Sequence, residues 1–213
     1  MLVRLWYRFI QFAFRRFYNE FAWTYDLVSR GVSRGRWHHW QRAALPQLRG
    51  TRVLELAFGT GNLLWDMATN GYQCVGIDLS PYMARITAKK FRHRGREAPI
   101  CRARAQQLPF SDMAFDSLVA TFPDYFILDP VAQREMARVL GPGGRLVIVD
   151  GGHILKEDLW SRILNRAFRI TVSPRARELA RKPFADPRFV IERRQVLDEW
   201  SAVGVVVAIK KSR

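Results

Sequence analysis

At 213 residues the chain is long enough to bury a full core as one domain without disulfide or metal staples. Its 35 Lys and Arg against 19 Asp and Glu leave a formal net charge of +16, which calls for an anionic partner, whether lipid, nucleic acid or an acidic substrate, without choosing among them. Two cysteines, Cys74 and Cys101, do not make a disulfide framework, and the four histidines do not join them at ligand spacing, so no metal site is expected.

Residues 1–20 read as a basic amphipathic helix. MLVRLWYRFIQFAFRRFY contains no turn residue, and at about 100° per residue Arg4, Arg8, Gln11 and Arg15 fall within a sector of about 60°. Aliphatic and aromatic side chains fill most of the remaining circumference. Arginine interrupts the apolar run too often for a membrane span, which needs about 20 mainly apolar residues, and too often for a cleaved signal. An in-plane position at a membrane surface fits better, with aromatics at the headgroup boundary and arginines of residues 1–18 on anionic lipid. A helix that covers its own domain or a dimer partner is the alternative. The first reading places the protein in the cytoplasm, peripheral on the inner face of the cell membrane.

Residues 21–213 read as the main domain. Behind the segment FAWTYDLVSRGVSRGRW a helix is expected over Arg36 to Leu48, where His38 and His39 beside Trp37 and Trp40 read as surface or packing residues. Strands are expected at Arg52 to Leu56, Gln73 to Asp78, Ile100 to Ala103, Phe115 to Thr121 and Arg145 to Asp150, each a short apolar run bounded by turn signals. Helices open near Asn62 and at Pro81, where Ser80 caps and proline takes the first helical position. This alternation is the pattern of a parallel, doubly wound α/β sheet. Cys74 and Cys101 then fall on neighbouring strands as buried free thiols. Leu155 to Lys182, within a substrate-side excursion over 155–187, reads as basic and mostly helical, broken at Pro174 and ended at Pro183. Arg188 to Gln195 and Val203 to Lys210 supply the last two strands. The basic surplus lies in residues 1–50, 81–105 and 156–195, whereas 106–155 is net acidic.

The densest signal is Val53 to Leu64, VLELAFGTGNLL, which joins a buried strand, a glycine turn and a helix start. The Gly59-Thr60-Gly61 turn lets a ligand approach the backbone, and Asp78, about 20 residues on at the end of VGID, can take two ribose hydroxyls. A dinucleotide fingerprint would carry a third glycine where Leu64 stands, and Glu55 lies inside the strand. A pyrophosphate wants free backbone donors and a positive helix end, whereas a ligand bearing an ammonium and a sulfonium wants a carboxylate. S-adenosylmethionine is such a ligand.

With VLELAFGTG, GIDLSPYM, LPFSDMAFDSLVATF and LGPGGRLVIVD in this order, the chain resembles the class I S-adenosylmethionine-dependent methyltransferases over about Phe21 to Asp150. Within them it is similar to the ubiquinone/menaquinone C-methyltransferases and the bacterial phospholipid N-methyltransferases, which share its upstream Tyr-Asp segment. The resemblance implies a Rossmann-like seven-stranded sheet in the order 3-2-1-4-5-7-6 with the last strand antiparallel. It implies S-adenosylmethionine as methyl donor and S-adenosylhomocysteine as product. Carried over, the cofactor contacts are Tyr25, Glu55, Ala57, Gly59, Gly61, Asp78, Leu79, Met83, Ala105, Gln106 and Thr121. Glu55 would orient the loop or the methionine amino group, and Ala57 stands where the family has its first glycine. Arg104 stands where relatives have an aspartate that accepts from the adenine amino group. Arginine has donors only, so Gln106 or a backbone carbonyl is expected to accept instead, with Met83 and Ala105 beside the base.

Substrates in this superfamily meet the methyl group after strand four, here Thr121-Phe122-Pro123-Asp124-Tyr125. Asp124 and Tyr125 are candidates to position an acceptor or remove its proton. His153, three residues past strand five, is a third candidate, its imidazole suited to base work near neutral pH. Phe122 and Asp124 break the pattern of nucleobase amino-methylating enzymes. The expected activity is methyl transfer to a small, lipid-soluble acceptor at the membrane surface, a phospholipid amine headgroup or a quinone-like ring, with the upstream segment and basic helix leaning to the phospholipid. An RNA methyltransferase using the basic surface and a non-catalytic cofactor-binding adaptor are the alternatives.

Overall fold

The computed structural model of the chain describes residues 24–155 and 186–212. The expected amphipathic helix over residues 1–20 lies outside them, as do residues 156–185 of the expected excursion.

One seven-stranded sheet, ordered β3-β2-β1-β4-β5-β7-β6, organises the described residues. Its strands are β1 Arg52–Leu56, β2 Gln73–Asp78, β3 Ile100–Arg102, β4 Phe115–Thr121, β5 Leu140–Ile154, β6 Phe189–Leu197 and β7 Ser201–Lys210. The first five run parallel, β7 is antiparallel to β5, and β6 is antiparallel to β7. Val53 to Leu56 are buried because β1 lies between β2 and β4 with both faces covered. From β1 the chain winds outward to β2 and β3 and then returns to β4 on the other side. This reversal opens a crevice at the carboxyl ends of β1 and β4.

The α-helices among the described residues are α1 Tyr25–Val32, α2 Trp37–Arg42, α3 Asn62–Thr69, α4 Pro81–His93 and α5 Pro130–Val139. On one face Trp40 of α2, Leu63, Leu64 and Met67 of α3 and Phe91 of α4 meet Val53, Val119, Val147, Val149, Val205 and Val207. On the other, Ala132, Met136 and Val139 of α5 meet Leu54, Leu56, Leu118, Leu146 and Ile148. Period-two alternation along each strand supplies both faces at once. Ser80 accepts from the Met83 N–H at 3.3 Å with Pro81 in the first turn, and Asp129 accepts from the Val131 N–H at 2.8 Å before Pro130. Both helices thus begin at a side-chain cap followed by proline.

Several expectations need correction, among them the last two strands, which run Phe189–Leu197 and Ser201–Lys210 rather than Arg188 to Gln195 and Val203 to Lys210. The helix over Arg36 to Leu48 divides into α2 and a 3-10 turn, Leu45–Gln47, because Pro46 lacks an N–H and disfavours α conformation in the residue before it. β3 ends at Arg102, one residue short of Ala103. β5 extends beyond Asp150, because Gly151 to Ile154 pair with Gly204 to Ser201 after the parallel pairing with β4 has ended. A Cβ on Gly152 would lie 2.5 Å from Trp40, so glycine lets the indole seat against this extension. Cys74 and Cys101 are free thiols on paired neighbouring strands, but they are half-buried.

Candidate cofactor and acceptor site

The turn after β1 is built for close approach. Gly59 and Gly61 adopt φ of +57° and +70°, the left-handed region that glycine enters without steric cost. Nothing lies within 4 Å of where a Gly59 Cβ would stand, so this backbone borders open space. A Gly61 Cβ would instead lie 2.4 Å from the Thr87 side chain, whose hydroxyl donates to the Gly59 carbonyl at 3.0 Å. Gly59 therefore faces the ligand side, while Gly61 lets α4 press against the turn. Ala57 holds φ +56°, a left-handed conformation imposed on a residue with a side chain.

A clamp that motif reading missed joins this turn to two helices. Asp26 of α1 accepts from the Thr60 hydroxyl at 2.7 Å, Asn62 Nδ2 at 3.1 Å and Lys90 Nζ at 3.3 Å. Lys90 of α4 also donates to the Thr60 carbonyl at 2.8 Å and Asn62 Oδ1 at 2.6 Å. Burial opposes ionisation of Asp26, but the Thr60 hydroxyl and Lys90 ammonium hold its carboxyl below the ordinary range. Burial draws Lys90 below its ordinary value despite Asp26. Tyr25 packs beside Phe58 and Met83 and meets Trp37 edge-on at 6.3 Å.

Two carboxyls face the cofactor loop. Asp78 accepts from the Gly59 N–H at 2.9 Å and the Ser80 N–H at 2.8 Å, one on each oxygen. The Leu79 N–H acts on the same carboxylate, which keeps acceptor capacity for a ribose hydroxyl. Burial raises the Asp78 pKa against the pull of those N–H groups. Glu55 is 1% exposed, and its Oε2 is buried without a hydrogen-bond partner. Burial, with repulsion from Asp78 and Asp66, drives its carboxyl well above the ordinary range. A buried, unmet acceptor beside a glycine turn fits the ammonium of S-adenosylmethionine, so the residues present suit that cofactor. Burial, aided by Glu55, pushes the Cys74 thiol up to about 11, which leaves it inert near neutral pH.

At the expected adenine end, Gln106 Nε2 donates to Asp129 at 2.9 Å, leaving its Oε1 as the acceptor that Arg104 cannot supply. Arg104 is exposed in a turn where its carbonyl accepts from the Gln107 N–H at 3.0 Å. Met83 is buried against Phe58, Ala105 joins the cluster on the α5 face, and Leu79 is 52% exposed.

At the acceptor end, Thr121 Oγ accepts from Gln41 Nε2 at 3.2 Å, while Gln41 Oε1 is buried and unpartnered. Phe122 holds φ +50°, donates its N–H to the Val149 carbonyl at 2.7 Å and stacks on Trp37 with ring centroids 4.1 Å apart. Trp40 completes an aromatic wall, and the Nε1 donors of Trp37 and Trp40 are buried without partners. Asp124 is exposed and caps nothing with its side chain, and Tyr125 opens the 3-10 turn that follows. His153 does not lie in a loop: it is exposed on the β5 extension, opposite Ala202. It stands four residues beyond Val149, the partner of Thr121, where β5 pairs with β7 alone, whereas Asp124 and Tyr125 follow the end of β4. His38 Nε2 and His39 Nε2 engage Asp66 at 2.9 Å and Asp198 at 2.8 Å. Among the described residues no cluster of His, Cys, Asp and Glu could hold a metal ion.

Residues 53–144 match the family model described as a methyltransferase domain. A demethylmenaquinone methyltransferase of Thermus thermophilus is 37% identical over 139 residues, which cover 62% of this chain and 63% of that protein. A ubiquinone/menaquinone biosynthesis C-methyltransferase of a Geobacter species is 34% identical, covering 64% of this chain and 62% of that protein. The chain thus spans about 60% of the length of these curated relatives. Among solved structures, an S-adenosylmethionine-dependent methyltransferase from Methanosarcina mazei superposes with a TM-score of 0.55 at 19% identity, covering 79% of this chain and 97% of that one. A geranyl diphosphate methyltransferase in complex with S-adenosylmethionine gives 0.56 at 16% identity, with 81% and 85% covered. At these identities the structures bear on the fold alone.

Proposed function

We propose that the protein is a class I S-adenosylmethionine-dependent methyltransferase that methylates a ring carbon of a lipid-soluble, quinone-like acceptor, as the methyltransferase-domain match of residues 53–144 and the named relatives support. The observation that carries the donor half is Glu55, a buried acceptor without a partner beside the Gly59 turn. The acceptor half rests on the names of the relatives and on the half-buried Trp37–Phe122 stack, with Trp40 buried behind it, whose apolar surface suits a planar ring. Those names move the choice from a phospholipid amine to a quinone-like ring.

When bound, S-adenosylmethionine supplies a methyl group already activated by its sulfonium. The chain's own work is then to hold and to exclude. Glu55 would accept from the ammonium, Asp78 would take a ribose hydroxyl, and Gly59 would admit the ligand to the backbone. The aromatic wall would keep water from the reacting carbon and align it, effects that account for much of the rate in a displacement reaction. Carbon methylation makes a new carbon–carbon bond and must then release the ring proton. Asp124 or Tyr125 would receive that proton. Action at the inner face of the cell membrane rests on the acceptor's solubility and on the basic, aromatic residues 1–18.

The test is transfer from tritiated S-adenosylmethionine to a demethylated quinol, to phosphatidylethanolamine and to RNA in parallel. Label in the quinol supports the reading. Label confined to the phospholipid or RNA, or absence of S-adenosylmethionine binding by calorimetry, overturns it.

A further inference from the structure

The outward face of α4 carries a row of cations for which the cofactor site has no use. Met83, Thr87 and Phe91 turn this helix inward, and Lys90 turns in to Asp26. Tyr82, Arg85, Lys89 and Arg92 therefore share the opposite side, within a sector of about 80° at helical periodicity. All four are exposed; Arg94 and Arg96, past the helix end, are exposed too but lean over Trp65, where Arg96 donates to the Ala68 carbonyl at 2.8 Å. Among the described residues no carboxylate forms an ion pair with any of these five cations. A row of like charges this dense repels itself, and proteins ordinarily relieve such repulsion with interspersed acids. Here the relief is missing.

We propose that this face of α4 is a docking surface for an anionic phospholipid bilayer. A helix flank followed by a turn offers cations along a convex, open line, which meets a plane of phosphates without a groove. Tyr82 is 38% exposed and Leu79, just before the helix, is 52% exposed, so an aromatic and an aliphatic group stand at the end nearest Asp78 and the cofactor loop. Such groups settle at the headgroup boundary beside cations that bind the phosphates. RNA fits less well, because single strands are held by aromatic platforms in a groove. Arg85 lies 5.6 Å from the Tyr82 ring centroid and Arg94 lies 4.5 Å from that of Trp65, so each ring already has a cation on it. The surface would hold the cofactor loop against the membrane from which the acceptor comes. The choice of lipid rests on the proposed lipid-soluble acceptor, but the docking can be measured without any acceptor.

The experiment is sedimentation of the full chain with vesicles of phosphatidylcholine alone and with about one-third phosphatidylglycerol. It compares the wild type with the triple charge reversal Arg85→Glu, Lys89→Glu, Arg92→Glu. Each of the three side chains lies outside the cofactor site, so S-adenosylmethionine affinity and the thermal melt report whether the variant is folded. The wild type should bind the anionic vesicles, release as salt rises, and ignore phosphatidylcholine. Since each basic residue near such a surface is worth about fivefold in partition, the folded variant should bind at least about 100-fold more weakly. A fall of less than about threefold overturns the proposal, as does RNA that at equal phosphate displaces the wild type from the vesicles. Vesicle binding without methyl transfer would count against the proposed reaction and leave the docking surface standing.

Discussion

Ala57 stands in the left-handed region without being glycine, and Glu55 is buried with an oxygen that has no partner. The family position that normally holds glycine holds alanine at φ +56°, and an L-residue there carries about 1 to 2 kcal/mol of strain. Ala57→Gly relieves that strain but adds about 0.4 to 1 kcal/mol of unfolded-chain entropy. The net expectation is a gain of about 0.5 kcal/mol, or about 1 to 2 °C in a thermal melt, with S-adenosylmethionine affinity kept within about twofold. Glu55 makes a stronger prediction. Its ordinary pKa is about 4.3, and burial raises it well above that in the folded protein. As pH rises past the ordinary value, the unfolded chain loses the proton first while the folded chain keeps it. The ligand-free protein should therefore lose stability as pH climbs towards the folded value, and Asp78, also raised, adds to the same trend. Cofactor binding should move the opposite way, because the ammonium favours the ionised carboxylate: affinity strengthens with pH across that window. Glu55→Gln should flatten both slopes and weaken binding by about 10- to 100-fold, the worth of a charge-assisted hydrogen bond. Calorimetric titration between pH 5 and about 8 checks this, and an unchanged slope in the variant would sink it. The sequence placed Glu55 at the loop, but that its oxygen lacks a partner depends on helices packed over it from elsewhere.

At the scale of elements, local signals were readable and long-range contacts were not. β1, β2, β4 and the starts of α3 and α4 follow from apolar runs, Gly61 and the Ser80-Pro81 cap. The β5 extension was hidden, because Gly151 and Gly152 look like a loop until Trp40 and β7 lie against them. A parallel case is the missing third glycine: Gly76 on β2 supplies the close approach, since a Cβ there would lie 2.8 Å from Phe58 and 3.1 Å from Leu64. The clamp between α1 and α4 was hidden for the same reason, as Asp26 and Lys90 are 64 residues apart. It ties the upstream helix to the cofactor turn, so its loss should be felt in binding as well as in stability. The pair is partly exposed, with side-chain exposures of 39% and 18%, so Asp26→Asn should cost only about 1 to 2 kcal/mol, a few degrees in the melt. Lys90→Met tests whether the two act together. In a double-mutant cycle on S-adenosylmethionine affinity, a coupling above about 0.5 kcal/mol is expected, whereas additive losses would show that Asp26 and Lys90 support the turn independently.

At the scale of the molecule, the alternation of strands and helices made a parallel, doubly wound sheet legible, and the resemblance carried the strand order and the antiparallel end. The proposed acceptor was not, since nothing in Thr121 to Tyr125 suggests a ring site by itself, and the Trp37–Phe122 stack forms only across distant segments. Net charge is likewise a property of the whole chain. A formal charge of +16 disfavours the compact state through self-repulsion, and the uncompensated row on α4 concentrates part of that cost. Salt should therefore act with opposite signs on two measurements. Raising NaCl from about 0.1 to about 1 M shortens the screening length from about 10 to about 3 Å, which should raise the melting temperature while it releases the protein from anionic vesicles. In the triple variant each reversal removes one positive charge from the row and adds one negative charge, a net change of two units. Its melting temperature at low salt should match or exceed that of the wild type, and its rise with salt should be smaller. A variant that melts lower at low salt, yet keeps its cofactor affinity, would mean that these cations stabilise the fold, and the trade between stability and an anionic partner would fail.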